Sequence, residues 1–471
     1  MNTPDFKNAR TRGKEEVKII RGFKIKDEYK HLGDNKKYYV RTYGCQMNER
    51  DSENICAMLE GMGYKKALGI DDASLVILNT CAIRENVHNK VYGMLGRLKH
   101  IKEERPLMIG ICGCMAQEEV VINTLMDKYK WVNFVIGTHN LHSLPDALYN
   151  SIKNNKQQID VWSKEGDIVE DIPVKRENKF KAWVNIMYGC DKFCTYCIVP
   201  YTRGKQRSRL PKDIVREVEE LVKEGYKEVT LLGQNVNAYG KDFKDMKYDM
   251  SNLLQDVANT KIERIKFVTS HPWDFNDDMI KVIKENENVL PYIHLPVQSG
   301  SNRILKLMGR KYTKESYLEL VKKLKENIKD LSLTTDIIVG FPNETIEDFN
   351  ETLDIVNECK YDLAYTFIYS PRVGTPAANI KDNVTKEEKE ERLQILNDLI
   401  NKYSKESNDR MLNKTLSVLI DGKSEKEGML SGYSKENKLV NVKADLSYIG
   451  KIVNVKITDA KTWSLDGVLD E

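Results

Sequence analysis

The chain has 471 residues, too many for one ordinary core, and a soft prior of about three domains follows from that length. With 41% hydrophobic and 31% charged residues it reads as neither a disordered nor a membrane chain, and no window holds the roughly 18 apolar residues of a membrane span. A net charge of +3 does not demand a nucleic-acid partner, but local clusters among the 74 lysines and arginines leave room for one.

Residues 1–36 mix Lys7, Arg10, Arg12 and Lys14 with Glu15, Glu16 and Asp27 and contain no apolar run. They read as a disordered, solvated extension with some basic charge for an RNA, not as a secretory signal. Nine cysteines, an odd number, in a chain without an export signal argue for reduced thiols and a cytoplasmic setting. Cys56 and Cys359 sit in helical patterns and read as inert buried thiols.

Over residues 37–153, predicted strands at 38–45, 75–81, 107–114 and 133–137 alternate with amphipathic helices. One helix carries Ile55, Met58, Leu59 and Met62, the next Val87, Val91, Met94, Leu95 and Leu98. The alternation predicts an α/β domain with a parallel sheet. Cys45, Cys81 and Cys114 each fall where a predicted strand ends, at the edge where open α/β sheets bind ligands. Three thiols from three strands can converge there on one metal centre; the bland alternative is three ordinary buried cysteines. Cys112, two residues before Cys114, is expected on the same face as a rival ligand or a spare thiol.

Residues 154–179 read as a linker. From 180 to 406 six strand–helix units follow, with strands beginning near 183, 229, 265, 292, 334 and 363. Six are fewer than the eight of a closed barrel, so an open, partial (βα)6 barrel is expected. Its first strand delivers Tyr188-Gly-Cys-Asp-Lys-Phe-Cys-Thr-Tyr-Cys197, three thiols within eight residues and no nearby fourth ligand. A closed zinc site wants four ligands. Three thiolates on a four-iron cluster leave one iron open for chemistry. A zinc knuckle completed by a distant residue is the alternative. Polar strand ends at 233–237, 270–271, 298–300 and 340–342 share the rim with the cysteine loop, where barrels carry active sites. Neither GxxxxGK[ST] nor GxGxxG occurs, which disfavours a nucleotide-driven or nicotinamide enzyme.

Over residues 408–471 the pattern changes to period two (Leu416, Val418, Ile420; Val453, Val455, Ile457), punctuated by glycines, which predicts a small OB-like β-barrel of five strands. Lysines 414, 423, 426, 435, 438, 443, 451, 456 and 461 with Tyr433, Tyr448 and Trp463 suit RNA through phosphate contacts and base stacking.

Three resemblances share this chain. The CxxxCxxC spacing, with Tyr196 before its last cysteine, resembles the signature of the radical S-adenosylmethionine enzymes. Thr42-Tyr-Gly-Cys-Gln-Met-Asn48, Asn79-Thr-Cys-Ala-Ile-Arg-Glu85 and Gly113-Cys-Met-Ala-Gln117 resemble the three cysteine motifs of the methylthiotransferase N-terminal domain. The last sixty residues resemble a TRAM domain in size and position. The resemblance implies two [4Fe-4S] clusters, an auxiliary one on Cys45, Cys81 and Cys114 and a radical-forming one on Cys190, Cys194 and Cys197. The latter would bind S-adenosyl-L-methionine and release a 5′-deoxyadenosyl radical, with Gln298 and Asp336 by its ribose or methionine part and Tyr196 by its adenine. The segments at 45–48, 294–301 and 369–376 resemble the tRNA branch of that family, which acts on isopentenyladenosine. That implies a transferase placing a methylthio group on C2 of N6-dimethylallyladenosine at position 37 in the anticodon loop of tRNA. A flavodoxin or ferredoxin as electron donor and a monomeric enzyme go with that expectation, which does not extend to the sulfur donor. Two alternatives remain open: a methylthiotransferase acting on a ribosomal-protein aspartate, and a non-catalytic zinc- and RNA-binding protein.

Overall fold

The computed structural model describes residues 6–11, 16–82, 85–163 and 165–470. Leu75–Thr80 (β3) is buried at every position, so both faces of its sheet must be covered. The neighbours are β1 (Lys37–Thr42), β2 (Lys65–Lys66), β4 (Met108–Gly113), β5 (Phe134–Ile136) and β6 (Gln158–Asp160). The six strands run in the order β2-β1-β3-β4-β5-β6, parallel throughout. On one face Val91, Leu95, Leu98, Ile122 and Leu125 pack against the sheet; on the other, Ile55, Met58, Leu59, Leu144 and Leu148 do. β6 lies inside the stretch expected to be a linker, so part of 154–179 completes this sheet.

The expected loose tail at 1–36 is tied down at several points among its described residues. Ile19–Ile20 pairs with Ile168–Val169, Arg21 meets Asp213 at 2.7 Å, and the Phe6 ring lies 5.4 Å from that of Tyr201. A few apolar and aromatic anchors among many charges sufficed, because each met a partner from distant sequence. Residues 1–5 and 12–15, including Arg12, Lys14 and Glu15 of that expectation, lie outside the described residues.

The middle of the chain forms two parallel trios of strands in chain order: Lys181–Asn185 (β7), Glu228–Leu232 (β8) and Arg264–Phe267 (β9), then Tyr292–His294 (β10), Ser332–Val339 (β11) and Leu363–Ile368 (β12). Among the described residues no ladder joins β7 to β12, in keeping with the open barrel expected. Ala182, Val184, Val229, Leu231, Ile265 and Phe267 pack into the helical layer. Their alternates Trp183, Thr230 and Lys266 line a cavity of about 550 Å³ beneath the first helix of the N-terminal sheet domain.

The two α/β units are locked by a buried charge network. Glu217 Oε1 meets Arg176 at 2.8 Å and Arg50 at 3.3 Å, Glu217 Oε2 meets Arg209 at 2.8 Å, and Glu170 meets Arg209 at 2.6 Å.

The last sixty residues close a five-stranded barrel of Thr415–Lys423, Leu430–Ser434, Leu439–Val442, Leu465–Leu469 and Ile452–Ala460 around Val418, Ile420, Val440, Val455 and Ile457. It docks where the large barrel's strands begin. Arg264, 1% exposed, donates to the Tyr433 and Ser417 carbonyls at 2.7 Å each, and Lys438 meets Asp362 at 3.0 Å. Two residues expected to face RNA, Tyr433 and Lys438, therefore take part in domain docking: the Lys181 ammonium lies 4.7 Å from the Tyr433 ring centre. Trp463, 56% exposed, remains free for stacking.

Candidate iron–sulfur and S-adenosylmethionine site

β1, β3 and β4 are adjacent, so the ends of those three strands bring three loops together. Cys45 is the residue before the helix Gln46–Gly61, Cys81 follows β3 directly, and Cys114 follows β4. Their convergence is direct. Cys45 Sγ and Cys114 Sγ each lie 3.9 Å from the same Asn48 Oδ1. A Cβ on Gly44 would stand 3.1 Å from Cys81 Sγ, so that glycine is what lets the first loop approach the second thiol. Asn48 is fixed by donating to the Tyr43 and Thr80 carbonyls at 3.0 and 2.9 Å.

Cys112 does not join them. It lies on β4, wholly buried among Ile55, Phe134 and Ile136 in the opposite core, which corrects the expectation that it shares a face with Cys114. Gly113 between them has φ +92° and turns the chain, so the simple two-residue repeat fails at that point.

The second trio sits on the loop after β7, held from several directions. Gly189 N donates to Gln234 Oε1 at 2.6 Å, Cys190 N to the Gly204 carbonyl at 3.0 Å, and Thr195 N to the Met308 carbonyl at 2.9 Å. Gly189 at φ +73° has the Lys205 carbonyl 2.2 Å from where a Cβ would stand, so no other residue fits this turn. Burial pushes the Cys190 thiol upward, as do the adjacent Cys197 and Cys194, and burial raises Cys197 to about 12. Burial likewise lifts Cys114 to about 12 against the Arg203 guanidinium, with Cys81 and Cys45 adding to the rise. Such thiols stay protonated until a cation displaces the proton, as metal-binding thiols do.

Among the described residues no three His, Cys, Asp or Glu side chains are spaced for a single metal ion. One zinc with bonds of about 2.3 Å would draw its thiolates to roughly 4 Å from one another. A multi-iron cluster takes each thiolate on a different iron and tolerates a wider trio. The chemistry of each donor set, three cysteines and nothing else, fits such a cluster.

Around the second trio the rim is polar and incompletely paired. Arg310 donates to His271 Nε2, and its guanidinium lies 6.0 Å from the Tyr196 ring centre. Burial, then Arg310, Lys192 and Lys241, push His271 well below its ordinary value, so the ring is neutral. Asp274 is held by Lys192 and Asn235, both at 2.7 Å. Yet His271 Nδ1, Arg310 Nε, Ser270 Oγ and both amide atoms of Asn237 are buried without a hydrogen-bond partner. Buried polar groups left unpaired cost about 1–3 kcal/mol each, so a cluster of them at a barrel rim fits a polar ligand. S-adenosylmethionine, with its amino, carboxylate and ribose groups, has the matching chemistry.

The three expected cofactor contacts are placed unequally. Gln298 holds φ +70° and exchanges backbone hydrogen bonds with β11, to the Asp336 carbonyl at 2.8 Å and from Ile338 N at 2.9 Å. Asp336 Oδ1 lies 3.5 Å from His294 Nε2. Tyr196 packs with Met308, Phe341 and Tyr369 beside Arg310. Sequence reading noted Ser270-His271 and the 233–237 turn as rim segments but missed Arg310, Lys192 and Asp274. Their partners come from other strands, and only Gly309-Arg-Lys-Tyr312, a basic pair after a helix-ending glycine, carried any signal.

The chain matches the Radical SAM superfamily over residues 184–356, the Uncharacterized protein family UPF0004 over 37–137 and the TRAM domain over 409–469. It is 56% identical over 470 residues to the tRNA-2-methylthio-N(6)-dimethylallyladenosine synthase of Bacillus thuringiensis (strain Al Hakam), covering 99% of this chain and 92% of the relative. The Bacillus subtilis (strain 168) protein of the same name is 55% identical over 466 residues, covering 98% of this chain and 92% of that one. This chain belongs to that family. The radical S-adenosylmethionine methyltransferase TsrM from Kitasatospora setae, solved with cobalamin and a [4Fe-4S] cluster, is similar in fold, with TM-score 0.51, 12% identity and 73% of this chain and 77% of that one covered. The family is one of radical S-adenosylmethionine transferases, so S-adenosylmethionine and a [4Fe-4S] cluster belong to this chain's chemistry. No helix among the described residues is long and apolar enough to cross a membrane.

Proposed function

We propose that this protein transfers a methylthio group to C2 of N6-dimethylallyladenosine at position 37 of tRNA, in the cytoplasm. The observation that carries the reading is two cysteine trios, from two domains, on strand-end loops that meet through Arg203, which donates to Cys114 Sγ at 3.1 Å from a point six residues past Cys197. Identity of 56% across nearly the whole chain supports the same substrate.

In this reading Cys190, Cys194 and Cys197 hold the radical-forming cluster, and Cys45, Cys81 and Cys114 hold a second, auxiliary one. When bound, the clusters and S-adenosylmethionine supply hydrogen abstraction from an unactivated C–H bond together with the sulfur and methyl that replace it. The residues of this chain position and shield. Gln298, Asp336 and Tyr196, with the unpaired polar atoms of His271, Asn237 and Ser270, orient the sulfonium cofactor. Phe193, Ile198 and Tyr201 form with Ala82 and Cys114 an apolar contact that keeps water from the space between the trios. The C-terminal barrel, with its exposed lysines and Trp463, grips the RNA. A flavodoxin- or ferredoxin-type protein supplies electrons, and the enzyme works as a monomer.

Hypomodified tRNA and ribosomes offered in parallel to the anaerobically reconstituted enzyme test this. Methylthio-nucleoside should appear in digests of the tRNA, with about eight irons per chain and about four in Cys190→Ala or Cys45→Ala, both inactive. Modification of ribosomal protein alone, or stoichiometric zinc in place of iron, would overturn it.

A further inference from the structure

Arg203 is a charged residue buried in the seam between the two cysteine trios, 6% exposed. It belongs to the radical domain, yet among the described residues its side chain donates hydrogen bonds to Cys114, Asn48 and Asp51 of the N-terminal domain. Nε donates to Cys114 Sγ at 3.1 Å; Nη2 donates to Asn48 Oδ1 at 2.9 Å and to Asp51 Oδ2 at 2.7 Å. Asn48 is the residue whose Oδ1 lies 3.9 Å from both Cys45 and Cys114 Sγ, so one guanidinium fork reaches one thiol directly and a second through the shared amide.

A guanidinium cannot be neutralised in a protein, and burying one without need costs several kcal/mol. Asp51, at 2.7 Å, would balance its charge without any contact to sulfur. The planar fork instead aims its Nε at sulfur, a geometry that a lysine could not reproduce. Hydrogen bonds and charge beside a thiolate ligand are among the levers by which a protein sets an iron–sulfur cluster's potential.

From this geometry we infer that Arg203 is a positioning residue for the auxiliary site, raising the reduction potential of the group held by Cys45, Cys81 and Cys114 and tying that potential to the docking of the radical domain. A cation and N–H donor at a ligand sulfur stabilise the more negative, reduced form, so their removal makes reduction harder. The inference rests on the cluster assignment proposed above and adds to it what sets the second cluster's electronics.

The test uses the full-length chain with Cys190, Cys194 and Cys197 all changed to Ala, so that only the auxiliary site can load, and follows its midpoint by EPR-monitored redox titration. Arg203→Met should move the midpoint negative by about a tenfold change in the one-electron equilibrium, ~59 mV. Arg203→Lys, keeping charge without the fork, should shift it in the same direction by less. An unmoved midpoint in Arg203→Met, with iron retained, overturns the inference. If Arg203→Met loses its iron, Arg203→Lys decides alone, and an unmoved midpoint there overturns it equally. A triple-alanine parent that takes up no iron while the unaltered chain takes up only one cluster overturns the auxiliary-cluster reading itself, and this inference with it.

Discussion

Glu217→Gln removes one charge and almost no volume from the network that docks the N-terminal sheet domain onto the radical domain. Burial alone would push the Glu217 carboxyl up, but Arg209, Arg50 and Arg176 overcome it and hold the group near 2, against an ordinary 4.5. That difference corresponds to roughly 3 kcal/mol of native-state stabilisation, in the range of about 3–5 kcal/mol measured when one member of a buried pair is removed. Because the folded-state value is depressed, the stabilisation is complete above about pH 5 and disappears as pH falls from 4.5 through 2. Urea unfolding at pH 7 should therefore show the first transition of Glu217→Gln weakened by about 3 kcal/mol, and between pH 5 and 3 the variant should lose stability less steeply than the unaltered protein. Easier proteolysis within 154–179 should accompany it, since Arg176 of that stretch loses its partner at 2.8 Å. A first transition within about 0.5 kcal/mol of the unaltered protein, with parallel pH profiles, would refute the account of this network as the clamp between domains.

Arg264→Ala breaks two hydrogen bonds of 2.7 Å to the C-terminal barrel and should cost about 2–4 kcal/mol, read as release of a C-terminal fragment under limited proteolysis before global unfolding. Trp463→Ala should weaken tRNA binding by roughly 5- to 100-fold in a filter or anisotropy assay while leaving the salt slope unchanged, because stacking and phosphate contact are separate contributions. Gly113→Ala puts a Cβ 2.3 Å from the Thr80 carbonyl at a φ of +92°, so Cys114 must shift; iron should fall from about eight to about four per chain with far-UV circular dichroism unchanged.

Much of the site was legible in the chain itself because its chemistry is local in sequence or repeats with the strand rhythm. Three thiols in eight residues need no tertiary information to be seen as ligands. Cys45, Cys81 and Cys114 mark strand ends because the apolar runs before them stop there. The alternation of buried strands and amphipathic helices set both parallel α/β units, and the period-two pattern after residue 408 set the small barrel. Tertiary structure alone decided the rest. Cys112 faces the opposite core by the alternation of β4, and Gly113, at φ +92°, turns Cys114 off that two-residue repeat, which no local pattern anticipates. Phe6, Arg21 and Tyr29 bind the N-terminal segment down because their partners, Tyr201, Asp213 and Tyr149, lie far along the chain. Lys438 and Tyr433 went to docking, although composition pointed them at RNA. Arg203 gained its meaning only when two domains met, since the sulfur it reaches lies 89 residues earlier in the chain. Local spacing reveals which atoms can bind, because ligand chemistry is written in residue type. Which atoms face one another depends on how separately folded surfaces pack, and no local pattern carries that.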